Sequence, residues 1–449
     1  MQDSWDGLRN FVLIAVVLPI LLGSCATIRK GTQAEPASKT VLQFTIASKG
    51  LPEGGMWKCT PAFADINNDG YLDMAAVRRL GKGARVWLGD GGTSWTDSSA
   101  GLTYDITCGG GVAFGDINND NFLDLVVADH CTGVYTFLGD GKGNWTRTDT
   151  VLRPPAPEGI TPDEEGFYIG TEDLALGDVN EDGFLDLVLA ASDMGGFSVY
   201  LGDGSGKNWQ AVPAGDGLPS GNDPEPGDEE NGGWANQVML ADVNRDGHLD
   251  VVASYYRGPG VWLGDGKAHW VNSSEGLPRP IIGGLFRGIA VGDVNEDGLP
   301  DLAVANDVNG PEVYLQAQDG SWKSTADVLP SLEAGAVTVA LGDLDGDGHL
   351  DLLVGGRPSE GYGDAYGLYV LLGDGKGGWQ ELHNTHLPST GLSVTWGITI
   401  ADVNNDGVPD FSAATGGTSS SKVREGPGSK VKSTSKLPRL QVWLTHLKK

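Results

Sequence analysis

Apolar and polar positions follow a recurring order along this chain, well seen at 173–204. "DLALGD" alternates apolar and polar residues with period two, the pattern of a half-buried strand. "VNEDG" then breaks the run with turn formers. "FLDLVLA" follows as a nearly continuous apolar stretch, short and rich in Val and Leu, the mark of a strand buried on both faces. After a polar break "VYLGDG" reads as a third strand ending in a Gly-rich turn, and the Trp beyond it opens a fourth. No segment sustains a 3.6-residue period, and Gly interrupts every run, so the pattern predicts a four-stranded antiparallel unit without helix.

The unit recurs. "DINNDGYLD" starts at Asp65, "DINNDNFLD" at Asp116, "DVNEDGFLD" at Asp178 and "DVNRDGHLD" at Asp242; "DVNEDGLPD" starts at Asp293, "DLDGDGHLD" at Asp343 and "DVNNDGVPD" at Asp402. A period of roughly 50–65 residues marks an array of supersecondary units. The once-per-unit Trp95, Trp145, Trp209, Trp270, Trp322 and Trp379 mark packing between units. The seventh unit stops after its third strand, at "LQVWLTHLKK", while "LQFTIASKGLP" from Leu42 has the look of an orphan fourth strand. Pairing the two closes a ring and leaves no free edge. The expected fold is therefore all-β: a seven-bladed β-propeller of four-stranded antiparallel blades over 41–449, closed by an N-terminal strand that completes the last blade.

The chain resembles the FG-GAP/VCBS repeat family on this motif, D-x-[DN]-x-D-G-x-x-D between strands, and on its flanks. That family's β-propeller occurs in integrin α-subunit heads and in bacterial surface proteins, and the likeness covers nearly the whole chain beyond 41. It implies calcium-binding loops shorter than an EF-hand, with ligands at positions 1, 3, 5, 7 (through the carbonyl) and 9. Hard oxygens of this kind suit Ca²⁺, whereas Mg²⁺ demands a stricter octahedron. Carried onto this sequence, the ligands are Asp65, Asn67, Asp69, Tyr71 and Asp73; Asp116, Asn118, Asp120, Phe122 and Asp124; Asp178, Asn180, Asp182, Phe184 and Asp186; and Asp242, Asn244, Asp246, His248 and Asp250. The last three loops give Asp293, Asn295, Asp297, Leu299 and Asp301; Asp343, Asp345, Asp347, His349 and Asp351; and Asp402, Asn404, Asp406, Val408 and Asp410. Turn chemistry alone does not demand the ninth-position Asp. Up to seven structural Ca²⁺ are expected. Asn121 replaces the usual Gly in the second loop, and Asn tolerates the left-handed region that Gly supplies elsewhere.

Charge and the amino terminus narrow the function. The formal net charge of −30 excludes nucleic acid as a partner. Phe11–Leu22 is an apolar run too short to span a bilayer and of the length of a signal-peptide core. It runs into Leu22-Gly23-Ser24-Cys25, which resembles the lipobox of bacterial lipoproteins. The expected organisation is a signal peptide at 1–24, a polar linker at 25–40 after a lipidated Cys25, then the propeller. Such a protein would be exported and held at the outer membrane or cell surface by its lipid alone, as a monomer. Export permits a disulfide. Cys108 and Cys131 flank antiparallel neighbouring strands and form the expected pair, with buried free thiols as the alternative and Cys59 left over.

The acidic loops join strands one and two, on one face. The opposite face carries long insertions, acidic between blades two and three and between three and four, basic in blade seven. The residue six before each first Asp should approach the channel mouth there: Cys59, Gly110, Glu172, Asn236, Arg287, Val337 and Trp396. Loops between strands two and three add His130, Tyr255, Tyr256, Arg257, Asn306, Asp307 and Arg357. Glu172, Asn236, Tyr256, Arg287 and Trp396 make a candidate polar and aromatic pocket suited to a sugar or peptide. The resulting expectation is a calcium-binding, lipid-anchored surface propeller that binds a protein or polysaccharide, with cell adhesion as one role. The alternatives are a lyase or hydrolase acting on polysaccharide, with Glu172–Arg287 or His130–Asp129 as acid–base pairs, and a purely structural envelope protein. No nucleophile–base motif stands out, so no catalytic residue is assigned.

Overall fold

A computed structural model describes residues 41–448 except 81–82, 103–107, 155–169, 192–195, 213–215, 220–234, 256–257, 279–285, 326, 333, 358–366, 389–391 and 417–436. The expected signal peptide, linker and Cys25, the long insertions and Tyr256 lie outside the described residues.

The described residues form seven antiparallel sheets, and no helix occurs among them. Blade three is representative: Thr171–Gly177, Asp186–Ala191, Phe197–Gly202 and Trp209–Ala211 pair in chain order from the axis outwards. The second strand of this blade is buried at every position, which is why its sequence is a continuous apolar run: neighbouring blades cover both of its faces. The first strands pack one against the next around the ring.

The ring closes as its two ends predict. Val41–Ile46 pairs antiparallel with Leu440–Lys448, from Val41 opposite Lys448 to Ile46 opposite Trp443, and becomes the outer strand of blade seven. Blade one departs from the repeat. Its first strand is interrupted, with Met56–Trp57 and Ala62–Ala64 pairing separately with Asp73–Leu80.

The periodic Trp residues seal the joints between blades. Trp145 donates its backbone N–H to Ala100 O and its indole N–H to Ser98 O of the preceding blade's exit. Gly101 sits beside it at φ 93°, and a Cβ there would fall 1.8 Å from Trp145 O. The "GLT" and "GLP" stretches that follow the outer strands thus record backbone-to-backbone contact that only Gly permits.

Candidate functional site

The acidic loops are built chiefly by their own backbone. In blade three Asp178 accepts the N–H groups of Asp182 and Gly183 at 3.1 and 2.8 Å, Asn180 accepts that of Asp182 and Asp182 that of Phe184. Residues at position 4, such as Glu181 and Arg245, adopt positive φ near 60°, as do Gly183 and Asn121 at position 6, at 91° and 70°. Two left-handed residues in three wrap the chain around its carboxylates. At position 7, Tyr71 lies against Gly91, where a Cβ would meet the ring at 2.1 Å. The Gly-rich "LGDG" hairpin therefore makes room for the loop's side chain.

Position 9 has work independent of any ion. Asp186 is fully buried, and its two oxygens accept Val179 N at 3.0 Å and Gly202 N at 2.9 Å, tying the loop to the third strand. The same brace recurs at Asp73, Asp124, Asp250, Asp301, Asp351 and Asp410. The ninth Asp is thus demanded by the fold itself, and its presence alone does not argue for a metal.

The donor set nonetheless fits a hard cation. Asp343, Asp345 and Asp351 bring carboxylate oxygens within 4.8 Å of one another. Burial pushes Asp351 up to about 7, and the charges of Asp345 and Asp347 push it the same way; Asp345 is likewise raised by burial and by Asp347 and Asp343. These groups oppose one another's ionisation, and a divalent cation is what would reverse that. Each bonded oxygen of Asp345 and Asp351 accepts one N–H, which leaves a second lone pair for coordination, while Asp343 Oδ1 accepts two, from Gly346 and Asp347.

The opposite ends of the first strands, about 20 Å away at ~3.3 Å per residue, form the second site. In six blades the ladder between strands one and two slips at one place, and the slipped residues include Gly110, Glu172, Asn236, Arg287, Val337 and Trp396. Cys59 stands in the break of blade one's first strand. A bulge re-aims a side chain out of the strand's alternation, and all seven positions line one recess on the axis. The recess also takes in Lys58, Asp173 and Gln237 and holds about 50 Å³.

Its charges are shared across blades. Glu172 is almost wholly buried and accepts from Lys58 Nζ, from Arg79 at 3.0 Å and from His130 Nδ1 at 2.6 Å. Burial drives the His130 imidazole down to about 3, helped by Arg79 and Lys58, so at neutral pH it is an uncharged donor to the carboxylate. Asp307 holds Arg357 at 2.6 Å and lies 3.5 Å from Arg287 Nε. Trp396 is half-buried, with Lys58 Nζ 5.4 Å and Arg287 Cζ 5.9 Å from its ring centre. Burial pushes Asp173 up to about 7.

Of the acid–base candidates read from sequence, Glu172 bonds Lys58, Arg79 and His130, and Asp129 accepts the backbone N–H groups of Cys108 and Cys131. Cys108 and Cys131 form a disulfide with Cα atoms 5.7 Å apart. Cys59 is free and buried; it accepts Val77 N at 3.4 Å, and burial raises its thiol to about 12. The motif flagged none of Lys58, Arg79 and Gln237. Lys58 and Gln237 are sequence neighbours of the bulge positions, the one signal that pointed at them.

A model of the FG-GAP-like repeat matches residues 65–127, 178–253, 242–304 and 293–354. Phosphatidylinositol-glycan-specific phospholipase D of Bos taurus is 29% identical over 175 residues, 32% of this chain and 20% of the relative. The Mus musculus protein of that name is 32% identical over 165 residues, 29% of this chain and 19% of the relative. The match thus spans about a fifth of each relative's length. Among solved structures, BBS1N in complex with ARL6DN superposes with a TM-score of 0.53 at 11% identity, covering 89% of this chain and 96% of that one.

Proposed function

The chain belongs to the FG-GAP-like repeat family, and from that premise we propose that it is a calcium-stabilised binding propeller, exported and tethered through a lipidated Cys25, that holds a protein or polysaccharide of the cell surface against its recess-bearing face. The observation that supports the reading is the convergence of six bulge positions and Cys59, one residue per blade, on a single recess. The relatives' name describes a phospholipase, but the match covers only a fifth of those proteins. The repeat carries over to this chain and the activity does not.

Calcium would be held by the side chains at positions 1, 3, 5 and 9 and the carbonyl at position 7 of each loop. When bound it supplies positive charge among carboxylates that otherwise raise one another's pKa. The loop residues supply the cage: the left-handed residues fold it and the ninth Asp anchors it to strand three.

Two measurements test the reading. Metal analysis of protein purified in calcium should return close to seven ions per chain, and chelation should lower Tm markedly, since a ligand bound only by the native state stabilises it. Arrays of glycans and surface proteins should then reveal binding that chelation abolishes. Absence of metal with an unchanged Tm removes the calcium half of the proposal; an empty array removes the binding half.

A further inference from the structure

We propose that the fourth residue of the acidic loop in blades three, four and five is a positioning residue for the metal site of the next blade, so that neighbouring loops become ordered and take up calcium as a coupled set. The calcium part rests on the reading above; the hold of one loop on the next stands without it.

Position 4 is not a ligand position of the loop, and its backbone is left-handed in every copy. Blades one, two and seven place Asn68, Asn119 and Asn405 there, at φ 57°, 56° and 57°, and blade six places Gly346 there, at 74°. Gly takes that conformation freely and Asn more readily than most side chains. Blades three, four and five instead carry Glu181, Arg245 and Glu296, at 57°, 60° and 57°. These long charged side chains stand against the local backbone preference, and each of the three reaches across a blade junction.

His248, at position 7 of the fourth loop, lies with Nδ1 2.5 Å from Glu181 Oε1, and His349, at position 7 of the sixth, lies with Nδ1 2.5 Å from Glu296 Oε1. An ionised carboxylate only accepts, so the imidazole is the donor in both. Between these two junctions Arg245 Nη2 stands 3.9 Å from Asp293 Oδ2, the first carboxylate of the fifth loop. The signs match each time, and every contact runs the same way, from position 4 of one loop to a ligand position of the next. His248 and His349 would offer calcium their carbonyls and Asp293 its carboxylate, so a held partner is a ligand held in place. Asn405 repeats the reach from blade seven to blade one, giving its Nδ2–H to Gly70 O at 2.7 Å. Gly346 has no side chain to extend towards blade seven, so the run that starts at Glu181 ends at blade six. Glu181 and Glu296 are about half exposed, at 53% and 52%, which sets the expected coupling at the modest strength of surface pairs.

Hydrogen exchange read by mass spectrometry on the full-length protein, across a calcium series from chelator-treated to saturated, follows each loop separately. Glu181→Asn installs the residue that blades one, two and seven use and removes the reach. It should raise the calcium midpoint for protection of 242–250 by about two- to fivefold, the range a surface pair supports, and leave 402–410 unmoved. Coupling between sites is reciprocal. His248→Phe, which places at position 7 the residue that blades two and three carry, should therefore raise the midpoint of 178–186 by the same factor. In the His248→Phe background Glu181→Asn should produce no further shift at 242–250, and Glu181→Gln, which keeps the length and an acceptor, should recover part of the effect in the otherwise unaltered protein. An unmoved midpoint at 242–250 in Glu181→Asn overturns the proposal, as does an equal shift at 402–410, the sign of general loosening. A parent with no calcium-dependent protection refutes the calcium reading, and the metal-free exchange rate then decides on the hold between loops. That rate should rise about twofold or more at 242–250 in Glu181→Asn; an unchanged rate refutes the hold itself.

Discussion

Phe44→Ala tests whether the N-terminal strand holds the ring shut. Phe44 is 1% exposed, sits in the middle of Val41–Ile46 opposite Thr445, and places its ring 5.4 Å from Phe411 at 75°, an edge-to-face pair. Its backbone N–H also donates to Thr385 O of blade six at 3.0 Å, so one residue spans the seam between the last two blades and the strand that closes them. Truncating a buried Phe to Ala costs about 3–5 kcal/mol, from lost transfer energy plus the cavity left behind. Aromatic geometry argues for the upper half of that range here. Val41 lies on the same strand, is 47% exposed and buries little, so Val41→Ala should cost under about 0.5 kcal/mol. The assay is urea unfolding of both variants and the parent followed by Trp fluorescence, comparing midpoints at matched slope. The reasoning fails if Phe44→Ala stays within about 1 kcal/mol of the parent or falls level with Val41→Ala. Either result would mean that the last blade is complete without its borrowed strand.

Further consequences follow from the recess and the disulfide. Replacing both Cys108 and Cys131 by Ser opens a loop defined by a sequence separation of 23 and should cost about 3 kcal/mol on the chain-entropy model; reductant should lower the parent's Tm and leave the variant's unmoved. Glu172→Gln strips Lys58 and Arg79 of their shared carboxylate and should cost about 3–5 kcal/mol, with Lys58→Met recovering part of that in a double-mutant cycle. Because burial raises Asp173 to about 7 against about 3.9 unfolded, folding takes up a proton between those values. The parent should therefore gain stability from this group as pH falls through 7, and Asp173→Asn should flatten that slope in Tm measured from pH 8 to 5.

The parts legible in the sequence are those that a short stretch of backbone decides. A nine-residue loop in which Asp178 accepts the N–H groups of residues four and five ahead must carry small acidic or amide side chains at fixed offsets, so each copy announces itself. Seven copies, an apolar second strand beside each, and an orphan strand at the start then fix the blade count and the closure. The pocket was legible only by counting. Six residues before each first Asp identifies Glu172 and Arg287, but nothing in the residue type reveals the bulge that re-aims them, because the slipped position holds Gly, Glu, Asn, Arg, Val or Trp in turn. Partner choice was illegible for a different reason. Glu172 draws Lys58 and Arg79 from blade one and His130 from blade two, and which of many cations meets which carboxylate is set by the curvature of the ring. The ninth Asp misled in the other direction: a residue that looked like a metal ligand and nothing else is also a brace between loop and third strand.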